Sequence, residues 1–282
     1  MERPLRTRAL KLNDTDGPQD GFPLKGWCTL TEPEVVSPGE FLRVFFQSHS
    51  SAPLHSETAF LKHLAELVMQ RYEGYPVHTI RALPIAAVTL PRRSRNFFKR
   101  LFNADGSPTQ DFVAWASEVL ALWIESELAG SVYSEGSSSH MNDPAYDILS
   151  IYRDDAGEAT LRVLQVKSTQ SNVQSNASSA LAKFEKLENG DYDSELASRL
   201  ELIQRRVDAP TSIRYGDLLY APERQYRVVV VHEESTDSFS VLTQFHTKVV
   251  GRVERRGLLL VKVEWTSFWS TLAEIVYDQL SL

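Results

Sequence analysis

Cysteine is nearly absent from this 282-residue sequence, in which Cys28 stands alone without a partner for an intrachain disulfide. A secreted, disulfide-stapled framework is therefore excluded, and a reducing interior is expected. Long apolar runs are also absent, because the N-terminal residues lack the core of a signal peptide and no window approaches a membrane span. We expect a cytoplasmic protein with no membrane partner.

Positive charge is in short supply, with 30 Lys and Arg residues against 37 Asp and Glu residues and a net charge of −7. This is the wrong sign for a protein that holds nucleic acid by bulk electrostatics. Contact with DNA or RNA must then come from local basic patches, a metal ion or a partner. The hydrophobic content of 42% is ordinary for a globular protein and is enough for a sizeable core.

The sequence motifs of several common enzymes are missing. The chain has no glycine-rich phosphate loop, no Walker lysine motif and no GxSxG nucleophile elbow. We therefore do not expect ATP hydrolysis or serine-hydrolase chemistry from this chain.

What the sequence does contain is an ordered succession of helical and extended patterns, after an irregular stretch over residues 1–54. Helices are predicted near residues 56–72, 109–128, 176–188, 193–207 and 267–280. Strands are predicted near residues 147–152, 160–169, 225–232, 238–250 and 257–265, with short extended pieces at 77–80 and 85–90. The order predicts an α/β (α+β) fold with a mixed central β-sheet flanked by helices.

Two neighbouring strands place polar residues together. If Tyr152 lies opposite Thr160 across the DDAGE turn, Asp147 lies opposite Gln165 on the same face of the hairpin. Lys167 is then the diagonal neighbour of Asp147 on the facing strand, with roughly 7–8 Å between the two backbones. The second strand is apolar on both faces before these residues, so a buried Gln and Lys at its end indicate a function there.

An acid, an amide and an ammonium group at one sheet edge suit phosphodiester hydrolysis. Hard divalent cations such as Mg²⁺ or Mn²⁺ bind carboxylate and carbonyl oxygens, which makes Asp147 the anchoring ligand. Gln165 offers a side-chain carbonyl, and the backbone carbonyl of Val166 is a further candidate ligand. Lys167 can orient the attacking water and offset the charge that develops on the phosphate.

The helix before the hairpin offers a second carboxylate. Glu118 lies on the flank of the apolar stripe, between Trp115 and Leu122, where it can point toward the sheet edge. Glu125 lies on the same flank two turns later, and Glu127 lies on the opposite flank. We take Glu118 as the candidate ligand, with Glu125 as the alternative.

A helix glutamate, then an aspartate in NDPAYDIL, then QVK on the next strand and a further helix, resembles the PD-(D/E)xK nuclease superfamily in its QxK form. The resemblance covers about residues 109–188 and implies Glu118, Asp147, Gln165 and Lys167 as the catalytic set. It also implies a restriction-endonuclease-like core. Gln165 departs from the commoner carboxylate and removes one negative charge from the metal site.

The layout further resembles the nuclease subunits of Hachiman-type anti-phage defence systems. That resemblance implies DNA as substrate and a helicase-type partner that holds it. It divides the chain into residues 1–108, an N-terminal region of unassigned role, and residues 109–282, the nuclease domain with a C-terminal sheet and helix extension.

Several further residues are candidates for contact with nucleic acid. The stretch PRRSRNFFKRLF combines five basic with three aromatic residues, which suits phosphate contact and base stacking, but a solvated amphipathic turn or helix is the alternative. The candidate phosphate-binding residues are Arg92, Arg93, Arg95, Lys99, Arg100 and Ser168. Thr169 and Gln170 are further neutral donors, and His140 is a candidate outer group of the metal site.

Two other functions remain open from the sequence alone. The first is a catalytically silent nuclease-fold module that binds nucleic acid or a partner protein, since folds outlast their activities. The second is a structural subunit whose acidic surface suits a basic partner.

Overall fold

The structure is a computed structural model. It describes residues 28–30, 34–36, 39–46, 57–71, 92–127, 131–136, 146–153, 158–206, 215–220, 224–233, 244–245, 247–250 and 255–280. The strands are β1 Cys28–Leu30, β2 Glu34–Val36, β3 Gly39–Phe46, β4 Ser131–Gly136, β5 Ile148–Arg153, β6 Ala159–Thr169, β7 Gln225–His232 and β8 Arg256–Lys262. The helices are α1 Glu57–Arg71, α2 Arg92–Lys99, α3 Gln110–Glu127, α4 Val173–Glu188, α5 Asp193–Arg206, α6 Tyr215–Tyr220 and α7 Trp265–Leu280.

The strands form one sheet in the order β1-β3-β8-β7-β6-β5-β4, with β2 beside β3. Strands β4, β5 and β6 pair antiparallel, whereas β6, β7, β8 and β3 pair parallel. Five strands, β4 to β8, therefore form a mixed sheet flanked by helices. This confirms the predicted fold class at that level.

Two hydrophobic layers cover the sheet. Helices α1, α2, α3 and α7 pack on one face, where Leu164 and Val166 of β6 contribute to the core. Helices α4, α5 and α6 pack on the other face, where Leu161 and Val163 point. Strand β6 is thus apolar on both sides, as a strand covered by two helical layers must be.

The β5–β6 hairpin has the predicted register. Tyr152 pairs with Thr160, and the ladder runs to the pair of Ile148 and Leu164. The next residue toward the N-terminus is Asp147, whose backbone N–H donates to the Leu164 carbonyl at 3.0 Å. A shift of the strand pairing by one residue would turn every side chain to the opposite face of the sheet. The observed register therefore places Asp147 at the end of the hairpin on the predicted face.

Helix α3 begins where the sequence indicates. The Thr109 hydroxyl accepts a hydrogen bond from the Phe112 backbone N–H at 3.3 Å, which caps the helix. The indole N–H of Trp115 donates to the Val68 carbonyl at 3.1 Å. This bond ties α3 to the end of α1, so the two helices meet close to Glu118.

Three sequence expectations differ from the structure. The predicted irregular stretch over residues 1–54 contains β1, β2 and β3, and strand β4 was not predicted. The strand predicted at 238–250 is wrong for the described residues, because Gln244, Phe245, Thr247 and Lys248 are helical. Phe245 and Val249 are buried one helical turn apart, joined by a 2.9 Å backbone hydrogen bond. The segments predicted at 77–80 and 85–90 lie outside the described residues.

The division of the chain at residue 108 stays a prediction. Strands on both sides of it share one sheet, since β3 pairs with β8 from Glu40↔Gly257 to Phe45↔Lys262. None of the helices that the structure describes is both long and apolar enough to cross a membrane.

Candidate functional site

Asp147 is fixed to strand β6 by two hydrogen bonds. Its Oδ2 atom accepts from the Val166 backbone N–H at 2.7 Å, and its own N–H donates to the Leu164 carbonyl at 3.0 Å. The side chain is only partly exposed. One carboxylate oxygen is therefore anchored by the backbone, and the orientation of the second oxygen is set by that anchor.

Helices from both faces of the sheet bring charge to Asp147. Burial raises the pKa of its carboxyl above the ordinary range. The Val166 N–H opposes that rise, and so do the cations Lys183, Lys167 and Arg71. Lys183 comes from α4 on one face and Arg71 from α1 on the other, so Asp147 lies between the two layers.

Glu118 on α3 is the second carboxylate of the site. Its Oε2 atom accepts a hydrogen bond from Nη2 of Arg71, and its side chain is 23% exposed. Burial raises the pKa of Glu118, and the negative charge of Asp147 raises it further. Arg71 and Lys167 act in the opposite direction. The negative charge of Asp147 therefore reaches Glu118.

Gln165 and Lys167 occupy alternate positions near the end of β6. They pair with Val228 and Val230 of β7, and the alternation puts them on the face covered by α4. Gln165 is fully buried, whereas Lys167 is partly exposed. The charge of Lys167 lowers the pKa of both carboxylates.

Glu125, the alternative helix carboxylate, lies in a different environment. It is 1% exposed and accepts hydrogen bonds from Nη1 of Arg162 at 2.5 Å and Nη1 of Arg227 at 2.8 Å. Burial opposes its ionisation, but the two arginines outweigh burial and lower its pKa. Glu125 is thus committed to a buried ion-pair network, and Glu118 is the helix carboxylate whose pKa responds to Asp147.

Two residues of the site were missed by the sequence analysis. Arg71 lies 47 positions before Glu118, at the end of a helix in the region with no assigned role, so no local spacing connects them. Lys183 had a usable signal, because it flanks the apolar stripe of α4 beside the buried Phe184. A helix that follows β6 and packs on its face brings that flank to the end of the strand.

Residues 92–99 of the basic and aromatic stretch form helix α2, and the three aromatic rings of the stretch are not available for base stacking. Phe97 is 5% exposed, Phe98 is fully buried and Phe102 is 8% exposed, so their rings belong to the core. Phe97 packs edge-on against Trp115, with ring centroids 5.1 Å apart. Lys99 is exposed and stays available for phosphate contact.

The other candidate nucleic-acid-binding residues differ in exposure and in hydrogen bonding. Arg100 is exposed and Ser168 is partly exposed. The amide of Gln170 donates to Glu233 Oε2 at 3.0 Å, and the Thr169 hydroxyl donates to the Ser171 carbonyl. The side chains of Arg92, Arg93 and Arg95, and the whole of His140, lie outside the described residues.

The donor set fits a hard divalent cation. In the part of the chain that the structure describes, no three His, Cys, Asp or Glu side chains are grouped to hold a metal ion. The available donors are instead two carboxylates, from Glu118 and Asp147, with the Gln165 amide and the Val166 backbone carbonyl as further oxygen atoms. An all-oxygen set with few protein ligands suits Mg²⁺ or Mn²⁺, since Mg²⁺ keeps several of its own waters.

Comparison with protein-family models gives no match for this chain, and comparison with curated proteins gives none either. The function therefore has to be argued from the geometry and charges of the site itself.

Proposed function

We propose that this chain is a metal-dependent nuclease with a restriction-endonuclease-like core, using Mg²⁺ or Mn²⁺ to hydrolyse phosphodiester bonds of DNA. The observation that supports this most strongly is electrostatic. The charge of Asp147 raises the pKa of Glu118, and the charge of Lys167 lowers the pKa of both carboxylates, at the end of a strand hairpin. Paired carboxylates beside an ammonium group are what a metal-assisted attack on phosphate requires.

Each side chain has a separate task in this proposal. Asp147 anchors the cation with the carboxylate that Val166 orients, and Glu118, Gln165 and the Val166 carbonyl supply further oxygen atoms. A bound divalent cation lowers the pKa of a coordinated water and polarises the phosphate. Lys167 would orient the attacking water and neutralise charge as the bond from phosphorus to the leaving oxygen breaks.

The balance of charges supports an anionic substrate. Two carboxylates face three cations, Arg71, Lys167 and Lys183, of which Arg71 is almost completely buried. Burial alone penalises both carboxylates, as their raised pKa values indicate. A divalent cation would relieve this penalty and leave an excess of positive charge, which suits the phosphodiester and its more negative transition state.

A partner that holds the DNA is part of the proposal. The net charge of −7 gives the chain little general attraction for nucleic acid. If the chain is a cytoplasmic anti-phage effector that works beside a helicase-type protein, the helicase-type protein would hold the DNA. Lys99, Arg100 and Ser168 would then make only local phosphate contacts.

The test is cleavage of supercoiled plasmid DNA with Mg²⁺, by the protein alone and together with the product of its neighbouring gene. We expect Lys167→Met and Asp147→Asn each to lower the cleavage rate by about 100-fold or more. The matched controls are Lys186→Met and Asp191→Asn, whose side chains are exposed on and just after α4. Equal cleavage by all four variants would rule out the proposed centre.

One observation favours the alternative of a catalytically silent module that binds nucleic acid or a protein. Arg71 already occupies an oxygen of Glu118, and Gln165 replaces a charged ligand, so the site has less charge to offer a metal ion. Under this alternative the protein binds DNA equally well with Mg²⁺ and with a chelator, and cleaves under neither condition.

A further inference from the structure

Among the described residues, Arg71 is the cation of the centre that comes from the N-terminal part of the chain. It ends helix α1, is 6% exposed, and donates from Nη2 to Oε2 of Glu118. We propose that Arg71 is a positioning residue, which holds Glu118 in the orientation that the metal site needs. This inference rests on the proposed function, because it assigns Arg71 a role in binding the same cation.

The surroundings of Arg71 hold its guanidinium in one place. Its Cζ atom lies 4.4 Å from the centroid of the Trp115 ring, one helical turn before Glu118 on α3. Trp115 is itself fixed by its hydrogen bond to the Val68 carbonyl of α1. The ring and the carboxylate therefore bind one guanidinium from the same face of α3, by a cation–π contact and an ion pair.

Burying this guanidinium costs free energy, and its buried Nε and Nη1 atoms gain no hydrogen bond with the described residues that would offset this cost. Burial of a charged group is tolerated when a specific partner is gained, and here that partner is Glu118. A residue that served packing alone would do so better without the charge.

Gly136 at the end of β4 provides the space for Arg71. A Cβ atom on Gly136 would lie 2.8 Å from Nε and 3.0 Å from both Cζ and Nη2 of Arg71. The positive-φ glycines of the described residues are Gly106 and Gly190, so Gly136 is not required by backbone conformation. The glycine is required because a side chain would occupy the place of the guanidinium.

Two opposing effects decide what removal of Arg71 does to metal binding. A guanidinium repels a nearby cation, so its loss could tighten binding. Its loss also leaves the partly exposed Glu118 without the partner that orients it. Partners that orient metal ligands typically account for about 10–100-fold in metal affinity, so we expect the second effect to dominate.

The experiment is a calorimetric titration of the full chain with Mn²⁺. We expect Arg71→Met to weaken Mn²⁺ binding by about 10–100-fold, and Arg71→Lys to recover part of the loss because it keeps the charge. The matched control is Arg205→Met, which removes an arginine that is 74% exposed in an ion pair with Glu201. Arg205→Met should leave the affinity unchanged.

A double-mutant cycle shows whether Arg71 acts through Glu118. The Glu118→Gln variant should already bind Mn²⁺ more weakly than the wild type. In that background, Arg71→Met should lower Mn²⁺ affinity by less than a further factor of about 2–3, the deviation from additivity that independent sites show. A full second loss in that background would mean that Arg71 acts without Glu118, and would overturn the inference.

Gly136→Ala tests the same idea without removing any charge. The atoms nearest the added Cβ belong to the Arg71 side chain and not to the backbone. We therefore expect the midpoint of urea unfolding to change little while Mn²⁺ affinity falls about 10-fold. The control is Gly216→Ala in α6, where an added Cβ would meet nothing within 4 Å.

The outcomes separate the two proposals. If the wild type binds Mn²⁺ and the Arg71 and Gly136 variants bind it equally well or more tightly, the positioning role is wrong and the metal centre stands. If the wild type binds no Mn²⁺, the proposed function is wrong and the inference falls with it.

Discussion

Asp147 shows at the scale of one residue how a binding site and a stable fold make opposite demands. Its pKa is raised, so the folded chain retains a proton on Asp147 at pH values where the unfolded chain has lost it. The free energy of unfolding must then fall as the pH rises above the ordinary carboxyl range near 4. If Asp147 holds a metal ion, as we propose, its carboxylate lowers stability when no metal is bound.

Asp147→Asn should raise the free energy of unfolding at pH 7 by about 0.5–2 kcal/mol in the absence of metal. The amide oxygen can still accept from Val166, and the buried charge is gone. Urea unfolding followed between pH 5 and pH 8 measures the effect, and the pH slope should flatten in the variant. A variant less stable than the wild type across this range would contradict the cause we assign.

Glu125 is the opposite case, a carboxylate with a lowered pKa and a structural role. Glu125→Gln leaves Arg162 and Arg227 buried with only a neutral partner, so we expect a loss of about 3–5 kcal/mol in unfolding free energy. Because its folded pKa lies below 4.5, the stabilisation is present above pH 4.5 and is lost as the pH falls through the folded pKa. The control is Glu201→Gln on α5, whose side chain is 70% exposed and whose loss should change stability by less than about 0.5 kcal/mol.

Sequence reasoning succeeded where a residue's place depends on local periodicity. The register of the β5–β6 hairpin was predicted correctly, because alternation along two neighbouring strands and the turn between them determine it. Arg71 could not be found in this way, since its place beside Glu118 depends on how α1 packs against α3. Tertiary packing of this kind leaves no spacing pattern in a single sequence.

At the scale of the secondary-structure elements, α2 presents charge outward and rings inward. Phe97 and Phe98 are buried, whereas the neighbouring Lys99 and Arg100 are exposed. If the helix contacts DNA, it does so through phosphates alone. Changing Lys99 and Arg100 together to alanine should lower the salt dependence of DNA binding by about 0.9 in slope for each phosphate that is no longer neutralised. A DNA affinity and salt slope equal to those of the wild type would exclude α2 from the interface.

Strand β4 and the segment near residue 245 show which elements escape prediction. The β4 sequence SVYSEG is short and polar, and only its pairing with β5 makes it a strand. Phe245 lies in a stretch whose composition favours a strand, yet the local backbone is helical. Its ring stacks on the Phe184 ring, with the two ring centroids 6.1 Å apart. In both cases partners distant in sequence override weak local preference.

At the scale of the whole molecule, the N-terminal region is joined to the proposed nuclease core. Strand β3 extends the sheet in parallel with β8, and α1 packs against α3 and α7. We expect residues 109–282 alone to lose cooperative urea unfolding, because β8 loses a neighbour and the core loses the α1 layer. Two-state unfolding of that fragment would instead support an independent domain that begins near residue 109.

The central claim is that Asp147 and Glu118 bind one divalent cation, and an anomalous difference map from crystals soaked in Mn²⁺ tests it most directly. The account predicts a single peak at the end of the β5–β6 hairpin, about 2.0–2.3 Å from oxygen atoms of both residues. The peak should disappear in Asp147→Asn and remain in Asp191→Asn. Wild-type crystals with no peak there at millimolar Mn²⁺, or an unchanged peak in Asp147→Asn, would contradict the claim.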